Sequence, residues 1–235
     1  MRIKPRAFTL IEMLVVISII ALLIAILLPV LGSMRQSAKF MQCINHIKQF
    51  SIAQHAYTRD YDGYVVHPNW GEGSDGWLYA GPSTGGKNLQ QMLEIRENGF
   101  LWQYMNREGS VYRCPADEGP FDPSEPGVPG PVRAISSYQF NGGLNDYGGL
   151  GQDTHSLDLF ASDDIFMWET DATSSRVRYG FWNDGGNRPD EGLESRHVDG
   201  APIGTMDGSA DKITAEEFYD IALSQRRPNR LWLRY

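Results

Sequence analysis

One stretch limits the folding choices of this 235-residue chain more than any other. From Leu10 to Leu28, in LIEMLVVISIIALLIAILL, the only polar side chains are Glu12 and Ser18, and the apolar run continues through Pro29, Val30 and Leu31. About 20 such residues, at a rise of about 1.5 Å each, cross a bilayer core of about 30 Å. Arg2, Lys4 and Arg6 stand directly ahead of the run. A basic flank of this kind is held on the cytoplasmic side, so we expect a single-pass protein with a cytoplasmic N-terminus and everything after residue 31 on the other face. No A-x-A-like cleavage site follows the run, which separates it from an ordinary secretory signal. A carboxylate placed in hydrocarbon costs about 2.5 to 3.5 kcal/mol. Glu12 therefore either snorkels to the nearby interface or meets a compensating charge.

Beyond Gly32 the pattern turns amphipathic. Phe40, Cys43, Ile44, Ile47, Phe50, Ala53 and Tyr57 recur at three and four residues, with Lys39, Asn45, Lys48, Gln49 and Arg59 between them, which is one apolar helical face. A helix from Phe8 to about Asp60 would be about 80 Å long. Pro29 inside it removes one backbone hydrogen bond and is expected to kink or locally melt it. His46 and His55 lie on this helix nine positions apart, which is not an i, i+4 metal pair.

After Asp60 short segments alternate with glycine, proline and asparagine. LQQMLEIRENGFLWQYM reads as one or two short helices broken at Asn98-Gly99, and SVYRCPAD as a strand stopped by Cys114-Pro115. DEGPFDPSEPGVPGP is a loop by composition. AISSYQFN, DIFMWET and VRYGFWN read as strands of an antiparallel sheet. A long helix laid on such a sheet is an α+β arrangement.

Composition removes some function classes. Net charge is -8, and without the three leading basic residues the rest holds 18 basic against 29 acidic side chains, so no nucleic-acid footprint exists. There are two cysteines, Cys43 and Cys114, too few for a disulfide framework and without CxxC spacing for zinc. In an oxidising compartment they can pair; otherwise they are two separate buried thiols. No phosphate-binding glycine loop, GxSxG or HExxH is present. Glu169 and Asp171 are the one carboxylate pair that invites a glycosidase reading, yet acidic residues at a strand end are more often solvated or capping, and we expect no enzyme. Trp70, Trp77, Trp102, Trp168, Trp182 and Trp232 suit either a sheet core or a ligand-stacking surface.

A basic leader, then Ala7, then Phe8-Thr9-Leu10-Ile11-Glu12 and an apolar helix resembles the N-terminal signal of type IV prepilins and type II secretion pseudopilins. The family usually has glycine where this chain has Ala7. The resemblance implies a pilin-like fold, with a long N-terminal helix, its first half transmembrane, packed on a small antiparallel sheet head. It implies a leader over 1–7, cut by a prepilin peptidase between Ala7 and Phe8, and methylation of the new amine. The remaining divisions would be a transmembrane and filament-core helix over 8–31, its amphipathic continuation over 32–60 and an extracytoplasmic head over 61–235. Glu12 would neutralise the N-terminal amine of a neighbouring subunit, and Pro29 falls at a familiar distance from the cut. Partners would be other pilin-like subunits and the inner membrane, with the head periplasmic or at the cell surface.

The C-terminal ESRHVDGAPIGTMDGSADKIT resembles an element with His197, nine residues, then Asp207-Gly208, in prepilin-like proteins that also carry Cys-Pro and Ser-Tyr-x-x-Asn; here those are Cys114-Pro115 and Ser137 to Asn141. Met206 to Ser209 suits a tight type I′ hairpin turn, which His197 could bridge by a hydrogen bond. Asp207 and Asp211, with Asp199, could instead hold calcium, as some secretion pseudopilins do, although the spacing is no EF-hand; no other cofactor is expected. The resemblance implies a filament subunit. The competing reading is a membrane-anchored extracytoplasmic module that binds a glycan or cell-wall ligand and never polymerises.

Overall fold

The structure is a computed structural model and describes residues 9–71, 73–81, 84–119, 131–170, 184–198 and 200–233. The chain divides into two units, Met1–Ala38 and Lys39–Tyr235.

Helix α1 (Leu10–Asp60) is a single 51-residue element. In the first unit its apolar side chains are exposed, from Leu10 at 86% to Leu31 at 39%. The helix runs through Pro29 without interruption, so the expected local melting is absent; a proline costs its own turn one hydrogen bond, and the remaining ladder bonds carry the helix past it.

In the second unit the end of α1 turns one face to the protein. Cys43, Ile47, Phe50, Ala53 and Tyr57 are buried there, as the periodicity predicts, together with Ser51, Gln54 and Thr58. Phe50 meets Trp77, Tyr112, Tyr138 and Phe140 edge-on at centroid distances of 5.0 to 6.5 Å, a geometry aromatic quadrupoles favour.

The sheet comprises β1 (Tyr138–Asn141), β2 (Ile165–Glu169), β3 (Gly186–Asn187), β4 (Ala201–Thr205) and β5 (Ala210–Ile213). Its order is β3-β1-β2-β4-β5. The β1–β2, β2–β4 and β4–β5 ladders are antiparallel, whereas β1–β3 is parallel, so the sheet is mixed. A register shift interrupts the β2–β4 ladder between Ile165 and Met167, and Phe166 and Met167 both join the core cluster that includes α1. Gly204 permits this approach, because a Cβ there would lie 2.8 Å from Phe166 and 3.0 Å from Ile47.

A second core cluster gathers Ile165, Trp168, Ile203 and Ile213 around Phe218 and Ala222, which belong to α3 (Ala215–Ala222). The sheet is thus covered by helices on two sides, not one. Helix α3 starts with a capping box, Thr214 Oγ1 accepting from Glu217 N at 3.2 Å and Glu217 Oε2 accepting from Thr214 N at 3.0 Å, a pattern that satisfies two otherwise orphaned donors. The sequence LQQMLEIR forms α2 (Leu89–Arg96), capped in the same way by Asn88. SVYR is not a strand: Gly109–Tyr112 is a short 3-10 helix, with Tyr112 fully buried. The expected strand VRYGFWN and most of the proline-rich loop lie outside the described residues.

Candidate functional site

At the helix start, Thr9 N and Thr9 Oγ1 both donate to Glu12 Oε2 at 2.8 Å, and Glu12 N donates to Thr9 Oγ1 at 3.2 Å. This is a capping box: the hydroxyl accepts from the third helical residue and the carboxylate returns to the cap. Glu12 therefore has a local role, closing the first turn with Oε2, while Oε1 makes no hydrogen bond among the described residues. A helix N-terminus also carries partial positive charge that favours a carboxylate. Ala7 and Phe8, on either side of the expected cut, lie outside the described residues.

In the head, the residues singled out from the sequence converge on one enclosed cluster. Cys43, on the buried face of α1, and Cys114, just past the 3-10 helix, form a disulfide across 71 positions. His197, in the bend ahead of β4, places Nε2 3.2 Å from Cys114 Sγ. The same nitrogen is 3.2 Å from Oε2 of Glu169, at the end of β2, and the ring packs on Phe40 at 4.9 Å. His197 does not bridge the Asp207-Gly208 turn, because the five residues of β4 separate them by about 3.3 Å each.

Charge around this cluster is internally matched. Arg196 Nη1 reaches Glu169 Oε1 at 2.8 Å and Asp117 Oδ2 at 2.9 Å, while its Nη2 pairs with Glu194. Asp117 also pairs with Arg133 and accepts from Ser137 Oγ at 2.6 Å. Ser137 Oγ in turn accepts from Cys114 N at 3.1 Å. Burial alone would raise the Asp117 carboxyl, but Arg196 and Arg133 outweigh it and hold it below its ordinary value. Burial also opposes the Arg196 charge, yet Glu169 and Asp117 lift its pKa above the usual. Glu169 is fully buried, and its Oε2 faces His197 Nε2 without an aligned hydrogen bond; burial pushes this carboxyl up against the smaller pull of His197 and Arg196.

The remaining expected sites have local roles. Asn141 donates to the carbonyls of Ile165 and Leu231 at 2.8 Å, tying β1 to β2 and to the C-terminal segment. Asp207 Oδ1 accepts from Thr205 Oγ1 at 2.7 Å and Ser209 N at 2.8 Å. In this turn Gly208 takes φ +86°, and Asp207 does not have positive φ. It is therefore a type I turn closed by a left-handed glycine, not a type I′ turn. Asp211 is exposed and Asp199 lies outside the described residues. Among the described residues, the group whose donor atoms all lie within 4.8 Å of one another is Cys43, Cys114, Glu169 and His197. Asp171, the other half of the suggested carboxylate pair, lies outside the described residues. Trp77 and Trp168 are fully buried and Trp232 nearly so, which makes them core; Trp182 lies outside the described residues.

Sequence reasoning missed Asp117, Arg133, Glu194 and Arg196. Arg196 adjoins His197, but a lone arginine carries no visible sign of burial. Its role follows from three acidic residues scattered over 78 positions between Asp117 and Glu194.

Comparison with known proteins gives two family matches. Residues 2–28 match the prokaryotic N-terminal methylation motif, and residues 32–180 match the family described as a protein of unknown function (DUF1559). The first spans Ala7, Phe8 and Glu12. The second ends before His197, so the His-to-Asp-Gly element lies beyond it. No curated protein and no solved structure matches the chain.

Proposed function

The chain belongs to the DUF1559 family and opens with a prokaryotic N-terminal methylation motif, and from that premise we propose that this prepilin-type protein is a structural subunit of a type II secretion pseudopilus or type IV pilus-like filament. One observation carries the reading: residues 10–28 of the methylation motif lie on a helix whose apolar side chains, Leu10 through Leu31, are all exposed. Such a surface calls for lipid before assembly and for the helices of neighbouring subunits after it. In the proposed pathway a prepilin peptidase cuts before Phe8 at the cytoplasmic face of the inner membrane. The head stands on the other side, and the work of the protein is mechanical, with no catalytic step.

Glu12 then has two roles. Oε2 closes the capping box, and Oε1 remains for the methylated amine of a neighbour. An ion pair between subunits removes two isolated charges from an apolar setting and selects one axial register.

Glu12→Gln separates these roles, since glutamine also completes a capping box but carries no charge. The variant should insert in the membrane and be cut to a chain beginning at Phe8, as read by intact mass, yet be missing from sheared filaments. Filament incorporation at the wild-type level would defeat the ion-pair reading. A chain that still begins at Met1 in cells holding the peptidase would defeat the pathway.

A second reading, an anchored binding module, draws on a hollow of about 720 Å³ lined by Tyr57, Tyr61, Tyr64 and Phe100. Tyr61 and Tyr64 are 47% and 51% exposed, and such rings suit sugar stacking. Sedimentation of sheared surface material separates the two, because only the filament subunit is released as oligomers.

A further inference from the structure

We propose that Cys43, Cys114, His197 and Glu169 form a second, reduced state of the head in which the disulfide is replaced by a tetrahedrally bound zinc ion. Four observations support this assignment. The four donor atoms all lie within 4.8 Å of one another. Tetrahedral zinc with bonds of about 2.0 to 2.3 Å places its ligands about 3.3 to 3.8 Å apart, and His197 Nε2 already sits 3.2 Å from both Cys114 Sγ and Glu169 Oε2. Among the described residues Glu169 Oε2 is enclosed and meets His197 Nε2 at 3.2 Å without an aligned hydrogen bond, a costly state for a buried carboxylate. A single ring nitrogen also faces two acceptors, and one proton on it cannot serve both, whereas its lone pair can bind a cation that the sulfur and the oxygen share.

Electrostatics permits the exchange. Two thiolates and one Zn²⁺ sum to zero, as the disulfide does, so the charges set around Arg196 and Arg133 are undisturbed. Arg196 Nη1 holds the other oxygen of Glu169, an outer contact that fixes how a carboxylate meets a metal. The chemistry balances: a dithiol reduces the disulfide to two thiols and leaves as a cyclic disulfide, and zinc then displaces the two thiol protons.

The test uses the full chain in detergent, reduced with dithiothreitol and moved to metal-free buffer holding a phosphine reductant. Cobalt(II) serves as the optical probe. One equivalent should give the visible absorption of tetrahedral cobalt with a near-ultraviolet thiolate charge-transfer band, and one equivalent of zinc should bleach both. His197→Ala should lose most of the visible intensity and bind at least tenfold more weakly, and Glu169→Gln should shift the band. The Cys43→Ser/Cys114→Ser chain should bind no cobalt.

If the reduced metal-free head loses its native circular dichroism, one equivalent of zinc should restore it. The proposal is overturned if reduced wild-type chain takes up no stoichiometric metal. It is equally overturned if zinc fails to restore the fold, or if the cobalt spectrum is the same in His197→Ala, which would mean a bare pair of cysteines.

Discussion

Glu12 and Glu169 are both carboxylates set among apolar side chains, and the chain satisfies them in opposite ways. Glu12 takes its hydrogen bonds from Thr9, three residues away, while its neighbours Leu10 and Ile11 stand 86% and 75% exposed. Glu169 is 0% exposed and is held by Arg196, 27 residues further on. The first region is complete in its backbone but bare on its surface, so it depends on something outside the chain. The second has drawn its charges inside and matched them there. A filament subunit under the proposed reading needs both properties, a helix that is unfinished alone and a head that is finished before assembly.

The contrast is most open to attack at Arg196. Arg196→Met leaves Asp117, Glu169 and Glu194 around a neutral side chain, and breaking a buried ion pair costs about 3 to 5 kcal/mol. The head's urea midpoint should fall accordingly, whereas Glu12→Gln should not move it. An Arg196→Met head as stable as wild type would show that the buried charges are not matched as described.

Removing the Cys43–Cys114 link, which spans 71 positions, should cost the head about 2 to 4 kcal/mol by releasing the unfolded chain, measured in the same unfolding experiment with Cys43→Ala/Cys114→Ala. No loss of stability would mean that the charge cluster alone holds these segments together.

A smaller effect should appear only as a slope with pH. Burial pushes Glu191 up to about 8 from 4.5, with its carboxylate accepting from Arg188 N at 2.9 Å. A raised carboxyl favours the fold while protonated, so this contribution is complete below about pH 4.5 and is lost as the pH climbs through about 8. The head's Tm should decline across that window, and Glu191→Gln should flatten the decline. An unchanged slope would place the titration elsewhere. Smallest of all, Thr214→Ala should cost about 1 kcal/mol through the lost cap of α3, read from the shift in urea midpoint.

Much of this architecture is legible in local patterns. The face Cys43, Ile47, Phe50, Ala53 and Tyr57 follows from a period of 3.6, and that face is buried as expected. The segments around β1 and β2 follow from β-branched and aromatic runs. A signal for α3 was present, in Thr214-x-x-Glu217 followed by Phe218 and Ala222, although sequence reasoning missed it. Strand β3 was not legible, because two residues, Gly186–Asn187, hold no period. SVYR has strand-forming residues yet coils into a 3-10 helix, since the buried contacts of Tyr112 with Phe50 and Trp77 override propensity.

The membrane-length helix, its capped start and its methylation signal are therefore properties of a few dozen consecutive residues, since hydropathy, helix spacing and capping act over one to six turns. The cluster of Cys43, Cys114, Asp117, Glu169, Arg196 and His197 is of another kind. Asp117 and Arg196 are unremarkable where they stand in the sequence, and Cys43, Cys114, Glu169 and His197, which draw notice one by one, gain a shared meaning only from proximity across more than 150 positions. Packing of α1, the 3-10 turn and the end of β2 against one another created that proximity, and a charge excluded from water interacts strongly only with what lies beside it in space.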